Sequence, residues 1–287
     1  MKTDPKALIQ IILIYLVIAI TGVGAWMMLP DLTDVLRFLV SDLAMTVVCF
    51  AFSIIKKNSS VYDAYWSLIP FYFVLGWIYL NDGQLALWTW LTFAIVSLWS
   101  WRLTLNWVRS WTDFTHEDWR YINLARQTGK WYPLVNFSGI HLFPTLMVFA
   151  GMWPLFYVVN GSLVNIGLLL LGAAISLTGI GLQFFADNEL ARFRRRTNPN
   201  KGEILQSGLW GVCRYPNYLG EIMFWLGMAF LGVSHGAPLI IFAGAIAMML
   251  MFKFASIPMK ERRMAASRDG WENYCERVPL LFPNFKN

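Results

Sequence analysis

Apolar runs long enough to cross the roughly 30 Å of hydrocarbon in a bilayer recur along the chain, near 7–29, 37–55, 64–80, 84–108, 139–159, 163–185, 217–234 and 237–257. None alternates apolar and polar residues with period two, the pattern a spanning β-barrel needs. The pattern therefore predicts an all-α, polytopic transmembrane helical bundle of about eight spans, with seven the neighbouring count. Two N-terminal helices (1–55) would precede a larger membrane domain (56–287) that carries the long polar connections. The start MKTDPKALIQ enters its apolar run with no small-residue cleavage signal after it, so a retained first span is expected.

Polar positions punctuate this pattern unevenly. Twenty of the 23 Lys and Arg fall in 1–6, 56–63, 109–138, 186–216 and 258–287, and Arg37 alone falls in the alternate connections. Arg102 and Lys253 lie inside spans, near the same ends. A bias of this kind places both termini in the cytoplasm. The opposite turns, such as Asn81-Asp82-Gly83 and Asn160-Gly161-Ser162, are too short to hold a site, so chemistry is expected at the inner ends.

Composition agrees with the pattern. The chain is 57% hydrophobic and 14% charged, with a mean hydropathy of +0.50, against about 25% charge in ordinary soluble domains. Its 15 Trp and 13 Met suit membrane interfaces and irregular helix contacts. The net charge of +6 is read as charge on one membrane face rather than as a nucleic-acid surface. Cys49, Cys213 and Cys275, like His116, His141 and His235, have no paired or metal-ligand spacing, so neither disulfide nor metal is expected. Gly172, Gly179 and Gly181 in the sixth run are expected to be close-packing positions.

Several polar groups need partners. In GLWGVCRYPNYLGE (208–221), Pro216 biases Tyr215 toward extended backbone and so predicts a break before the seventh helix. Arg214, with Arg192, Arg194, Arg195 and Arg196 upstream, offers planar forks to phosphate, and a helix start offers free N–H groups. An ordinary cap with arginines on lipid headgroups is the plainer alternative. Glu221 follows Asn217 by one turn on one face, and a carboxylate at membrane depth is a site candidate by default. Asp63 opens the third run, as an N-cap or as a site residue. Arg102 either snorkels or serves a site. Glu117, Asp118, Arg120 and Tyr121 in HEDWRY read as local ion pairs when taken alone. The tail KERRMAASRDGWENYCERVPLLFPNF, with Glu261, Arg263, Trp271 and Tyr274, is either an interfacial anchor or a cover for a ligand.

Taken together, GLWGVCRYPNYLGEIMFW and GWENYCERVPLLFP resemble the C-terminal half of the membrane steroid 5-alpha-reductases and sterol C14 reductases. The chain is most similar to the DUF1295 branch of that superfamily, which also carries stretches like YDAYWS, WRLTLN and EDWRY. The similarity runs from about residue 55 onward. It implies NADPH held at the cytoplasmic ends of the last helices and reduction of a carbon–carbon double bond conjugated to a carbonyl, in a hydrophobic lipid substrate. Asp187, Arg194 or Arg195, Arg214, Asn217, Glu221 and Tyr274 match positions expected to hold the dinucleotide, followed by Tyr218 and Arg263. Asp63, counted back from Pro70, stands where the steroid reductases have a carboxylate facing the substrate carbonyl, and Tyr62 stands where they have an amide. Asp63 or Tyr62 would then donate to the enone oxygen as charge develops there, with Arg102, Asp118 and Arg120 as further polar groups serving substrate or structure. Trp99 departs from the pattern, because the steroid reductases have a tyrosine there. The Arg-x-Pro-x-Tyr spacing also resembles the isoprenylcysteine carboxyl methyltransferases, which use S-adenosylmethionine, and a non-catalytic lipid-binding protein is the third reading. A bacterial cytoplasmic membrane is the expected location, or an endoplasmic-reticulum-type membrane in a eukaryote.

Overall fold

A computed structural model describes residues 4–196 and 202–282. The part of the arginine-rich connection at 197–201 and the end of the expected apolar tail at 283–287 lie outside the described residues. Among the described residues every regular element is helical. The chain divides into two compact units, Met1–Asn160 and Gly161–Asn287. The division expected at 55/56 falls inside the first of these.

Unit 1 begins with α1 (Pro5–Met27) and α2 (Asp34–Lys56). Asp4 accepts the N–H groups of Lys6 and Ala7, and Pro5 follows it, where a missing N–H costs nothing. Ala7, Ile11, Ile14, Ile18 and Gly22 bury one stripe of α1, while Ile9, Leu13, Leu16 and Ile20 stay exposed on the other side, as a lipid-facing helix requires. Gly22 leaves room for Met45, and Ser41 Oγ donates to the Gly22 carbonyl at 3.0 Å. Next come α3 (Tyr62–Leu80) and α4 (Leu87–Ser110). One long helical run then holds α5 (Trp119–Thr128), α6 (Tyr132–Val135), a π-helical segment (Asn136–Leu142), α7 (Phe143–Met152) and α8 (Pro154–Asn160).

Unit 2 is organised by α9 (Ile166–Arg196) and α11 (Pro216–Val233), with the short α10 (Leu209–Val212) between them. At 31 residues α9 is about 46 Å long, well beyond the hydrocarbon thickness, so its arginine-bearing last turns extend past a bilayer core. The two helices run antiparallel and touch through glycine. A side chain at Gly179 would meet the Gly220 carbonyl oxygen at 2.5 Å, and one at Gly172 would meet that of Gly227 at 2.8 Å. Such close approach is how helices associate where no hydrophobic drive exists. Gly181 faces open space, so its expected packing role does not hold. The break predicted at Tyr215-Pro216 is where α11 starts. A second continuous run holds α12 (Ala243–Met251), a π-helical segment (Phe252–Ser256) and α13 (Ile257–Ala265), and α14 (Trp271–Arg277) follows.

Five described helical runs are long and apolar enough to cross a membrane: Pro5–Met27, Asp34–Lys56, Trp119–Asn160, Ile166–Arg196 and Leu239–Ala265. This is compatible with an integral membrane protein. The stretches of the other three expected spans form the helices α3, α4 and α11, which are less apolar than these five runs. Asp63 and several Tyr and Trp dilute α3, Arg102 and a Trp series dilute α4, and Asn217 and Glu221 dilute α11.

Candidate functional sites

In unit 1 the charged HEDWRY stretch closes onto the YDAYWS stretch. Glu117 Oε1 accepts the Ser59 N–H at 2.6 Å, Ser60 Oγ accepts the Asp118 N–H at 2.9 Å, and the Asn58 amide donates to the carbonyls of Phe114 and His116. Asp118 caps α5 by accepting the Arg120 N–H, and its two oxygens receive Arg120 Nε at 2.8 Å and Nη2 at 3.0 Å. Asp118 and Arg120 are thus paired with each other at the start of α5.

This closure sets a phenol against Asp63. Tyr121 Oη donates to Asp63 Oδ1 at 2.6 Å, a short hydrogen bond. The cap reading of Asp63 does not hold: α3 has Val61 at its N-cap with no side-chain cap bond, and Asp63 sits within the first turn. Tyr62, one residue earlier, points elsewhere. It is buried, and its hydroxyl meets Thr145 Oγ1 at 2.9 Å. Trp99 is fully buried with its ring 5.7 Å from that of Trp66, and the phenol beside the Asp63 carboxyl is that of Tyr121. Arg102 is half-buried in the C-terminal half of α4.

In unit 2 the segment before α11 is pinned from three sides. The Arg214 N–H donates to the Pro279 carbonyl, and the Cys213 thiol, pushed up to about 11 chiefly by burial, reaches the Leu281 carbonyl at 3.0 Å. Arg214 Nη1 lies 2.8 Å from Glu261 Oε2 on α13 and 2.7 Å from Cys275 Sγ on α14. Tyr215 Oη donates to the other Glu261 oxygen at 2.7 Å; burial, and then that carboxylate, hold this phenol well above its usual range, so it stays a donor. Tyr274 is buried, with its hydroxyl on the Trp210 carbonyl at 2.6 Å, and Trp210 Nε1 reaches the Ala186 carbonyl at 3.0 Å. The helix tail therefore packs as a small core of Trp271, Tyr274 and Val278 against Ile204 and Met264.

Beside this core, Asn217 Nδ2 reaches Asp187 Oδ1 at 3.4 Å, a long contact joining α11 to α9. Glu221 is buried one turn further along α11. Tyr218 is stacked between Tyr215 and Phe252, with Lys260 Nζ 4.3 Å from its ring centre. Arg194, Arg195 and Arg263 are exposed. Of the positions expected to hold a dinucleotide, Asp187 and Asn217 are thus in direct contact, Arg214 is tied to α13 and α14, and Tyr274 is turned inward on the backbone.

A family model described as a protein of unknown function, DUF1295, matches residues 49–278. The chain belongs to the DUF1295 family. An uncharacterized protein of Schizosaccharomyces pombe is 24% identical over 262 residues, covering 82% of this chain and 76% of the yeast protein. No solved structure matches the chain significantly.

The DUF1295 match takes in both polar clusters and leaves out α1. Within it lies Gln183, which sequence reasoning passed over. It is fully buried on α9, one turn before Asp187, and its side chain lies against Gly220. Neither its Oε1 nor its Nε2 has a hydrogen-bond partner among the described residues. A buried amide with both ends open is costly unless something meets it, and an amide in an otherwise apolar run was the signal available. Among the described residues no group of three or more His, Cys, Asp or Glu is placed to hold a metal ion.

Proposed function

We propose that this DUF1295 protein is a membrane-embedded, NADPH-dependent reductase of a conjugated carbon–carbon double bond in a lipid substrate, with eight spans and both termini cytoplasmic. The observation that carries the reading is the polar end of unit 2. There Gln183 keeps an open donor and acceptor beside the Asp187–Asn217 contact, and Arg194, Arg195 and Arg263 leave cationic groups exposed. This set fits a ligand with a polar planar group and several phosphates: the arginines would hold phosphate, and Gln183, Asp187, Asn217 and Glu221 would meet the polar rings. NADPH, when bound, supplies a hydride.

Unit 1 supplies groups for the substrate. Asp63 and Tyr121 present a carboxyl–phenol pair held at 2.6 Å, and such a pair can place a proton donor against a developing enolate oxygen. The arginine number favours NADPH over S-adenosylmethionine, the cofactor of the methyltransferase alternative. Titrating the detergent-solubilised protein with each cofactor, followed by Trp fluorescence, tests this. Saturable binding of NADPH is expected, and binding of S-adenosylmethionine alone would hand the site to methyl transfer.

Two further outcomes follow. Asp63→Asn keeps size and removes the titratable proton, so reduction should slow by roughly a hundredfold or more while NADPH affinity is unchanged. Loss of NADPH binding would move Asp63 into the cofactor site. Reporter fusions after Lys201 and after Asn287 should both read cytoplasmic, and an outside reading at either would break the eight-span topology.

A further inference from the structure

Unit 1 contains a second polar system, separate from the Asp63–Tyr121 pair. Asp42 sits within α2, fully buried, and its Oδ1 accepts from Tyr65 Oη at 2.8 Å. Tyr65 Oη also meets Thr46 Oγ1 at 3.1 Å, Thr46 Oγ1 meets Thr145 Oγ1 at 3.0 Å, and Thr145 Oγ1 meets Tyr62 Oη at 2.9 Å. None of these residues is more than 3% exposed. The chain crosses α2, α3 and α7, and every internal member is a hydroxyl, which can donate one hydrogen bond while accepting another. A single sense of donation from one end to the other is therefore available, and reversing it reverses every member. Such an unbroken series is the arrangement through which protons pass.

The two ends differ from the middle. Asp42 is the only member that exchanges a proton at ordinary pH by its intrinsic chemistry. Its second oxygen, Oδ2, has no hydrogen-bond partner among the described residues, although a carboxyl at membrane depth that served packing alone would be costly to leave half-met. At the other end the Tyr62 ring lies 4.9 Å from the ring of His141, whose buried Nε2 likewise lacks a partner among the described residues. An unmet carboxyl oxygen on Asp42 at one end, and an unmet imidazole nitrogen on the neighbour of Tyr62 at the other, distinguish this series from a ladder that merely glues helices.

We propose that Asp42, Tyr65, Thr46, Thr145 and Tyr62 form a proton-conducting chain that stores a proton on Asp42 and delivers one from the Tyr62 oxygen. The Asp42 carboxyl gives its proton to Tyr65 as Tyr65 passes its own to Thr46, Thr46 to Thr145 and Thr145 to Tyr62, whose original proton leaves to the acceptor. One O–H bond breaks and one forms at each hydroxyl, Asp42 is left as carboxylate, the acceptor gains one proton, and no electrons move. After product leaves, a hydronium ion gives one proton to Tyr62 and departs as water, and each hydroxyl passes its own proton back until Tyr65 returns one to the Asp42 carboxylate. The acceptor's identity, the anion left by hydride addition, rests on the reductase reading, while the path does not. In that setting the chain protonates product while bulk water is shut out.

Infrared spectroscopy of the intact protein in lipid tests the path without any substrate. The Asp42 carbonyl band is assigned by its loss in Asp42→Asn, and its shift on transfer to deuterated water times proton exchange at that carboxyl. Thr145→Val matches the side chain in shape and breaks the chain, while Thr145→Ser keeps the hydroxyl. Exchange in Thr145→Ser should match wild type and exchange in Thr145→Val should slow by roughly tenfold or more, because a hydroxyl step in a low-dielectric interior is lost. Thr46→Val cuts the same chain and serves if Thr145→Val does not fold. Wild-type exchange in a folded valine variant, or no protonated carboxyl band assignable to Asp42, would overturn the proposal. Exchange that follows the chain while no enone is reduced by NADPH would leave the path standing and remove the reductase reading.

Discussion

Gly179→Leu is expected to unfold unit 2, with the largest stability loss of any single substitution considered. A β-carbon at Gly179 would stand 2.5 Å from the Gly220 carbonyl oxygen and 2.9 Å from the Phe224 nitrogen. Both are backbone atoms of α11, so no rotamer change relieves the clash, and the two helices must separate. The Gly172 contact, seven residues earlier, loses its register with them, because Gly172 meets Gly227 and Leu231 on the same face. Overpacking alone costs about 1–3 kcal/mol, and loss of the interhelical seam adds to it, so a loss of about 3 kcal/mol or more is expected. Gly181→Leu is the control: nothing lies within 4 Å of where its β-carbon would stand, and it should melt like wild type or slightly higher. Thermal unfolding in detergent, read by circular dichroism, measures both. A wild-type midpoint for Gly179→Leu would mean that α9 and α11 do not pack as described.

Arg214→Ala is expected to lower both stability and cofactor affinity, and the two effects can be separated. The guanidinium is 13% exposed and holds Glu261 at 2.8 Å, and its Nε has no hydrogen-bond partner among the described residues. Removing it leaves a partly buried Glu261 without its cation, a loss of about 2 kcal/mol in a pair of this exposure. Glu261→Gln breaks the same pair and keeps Arg214 for phosphate. Each variant should therefore be destabilised, but NADPH affinity should fall by roughly thirtyfold or more only in Arg214→Ala, because charge-assisted contacts to phosphate contribute about 2 kcal/mol or more. Equal losses of affinity in both variants would assign Arg214 to the architecture of the loop and not to the ligand.

How much of this was legible in the sequence depended on the range of the interaction. Period and punctuation are local, so the helical class, the Tyr215-Pro216 break and the packing glycines at 172 and 179 could be read directly. Hydropathy is also local, yet α3, α4 and α11 stand out less than the five more apolar runs, because the residues that dilute them, Asp63, Arg102, Asn217 and Glu221, are the ones singled out as polar. Partners were not legible. That Asp63 meets Tyr121 rather than capping its own helix depends on a closure between segments 58 residues apart, which no periodicity encodes. Asp42, Thr46 and Thr145 passed as ordinary interruptions of apolar runs, since a lone Thr in a membrane helix usually bonds its own backbone. Only the rotation of three helices about one another aligns their hydroxyls. Gln183 went unremarked for a similar reason: its open ends become notable only when α11 buries it.

Hydride transfer to a lipid double bond is the central claim, and deuterium tracks it directly. Purified protein in lipid would be mixed anaerobically, in single turnover, with NADPH deuterated at the transferable position and a panel of isoprenoid and sterol enones, and product masses read. Reduction should consume one NADPH per substrate and leave one deuterium on the carbon β to the carbonyl, with the second hydrogen coming from solvent. Intact enones and unoxidised NADPH across the panel, with S-adenosylmethionine instead bound and consumed, would contradict it.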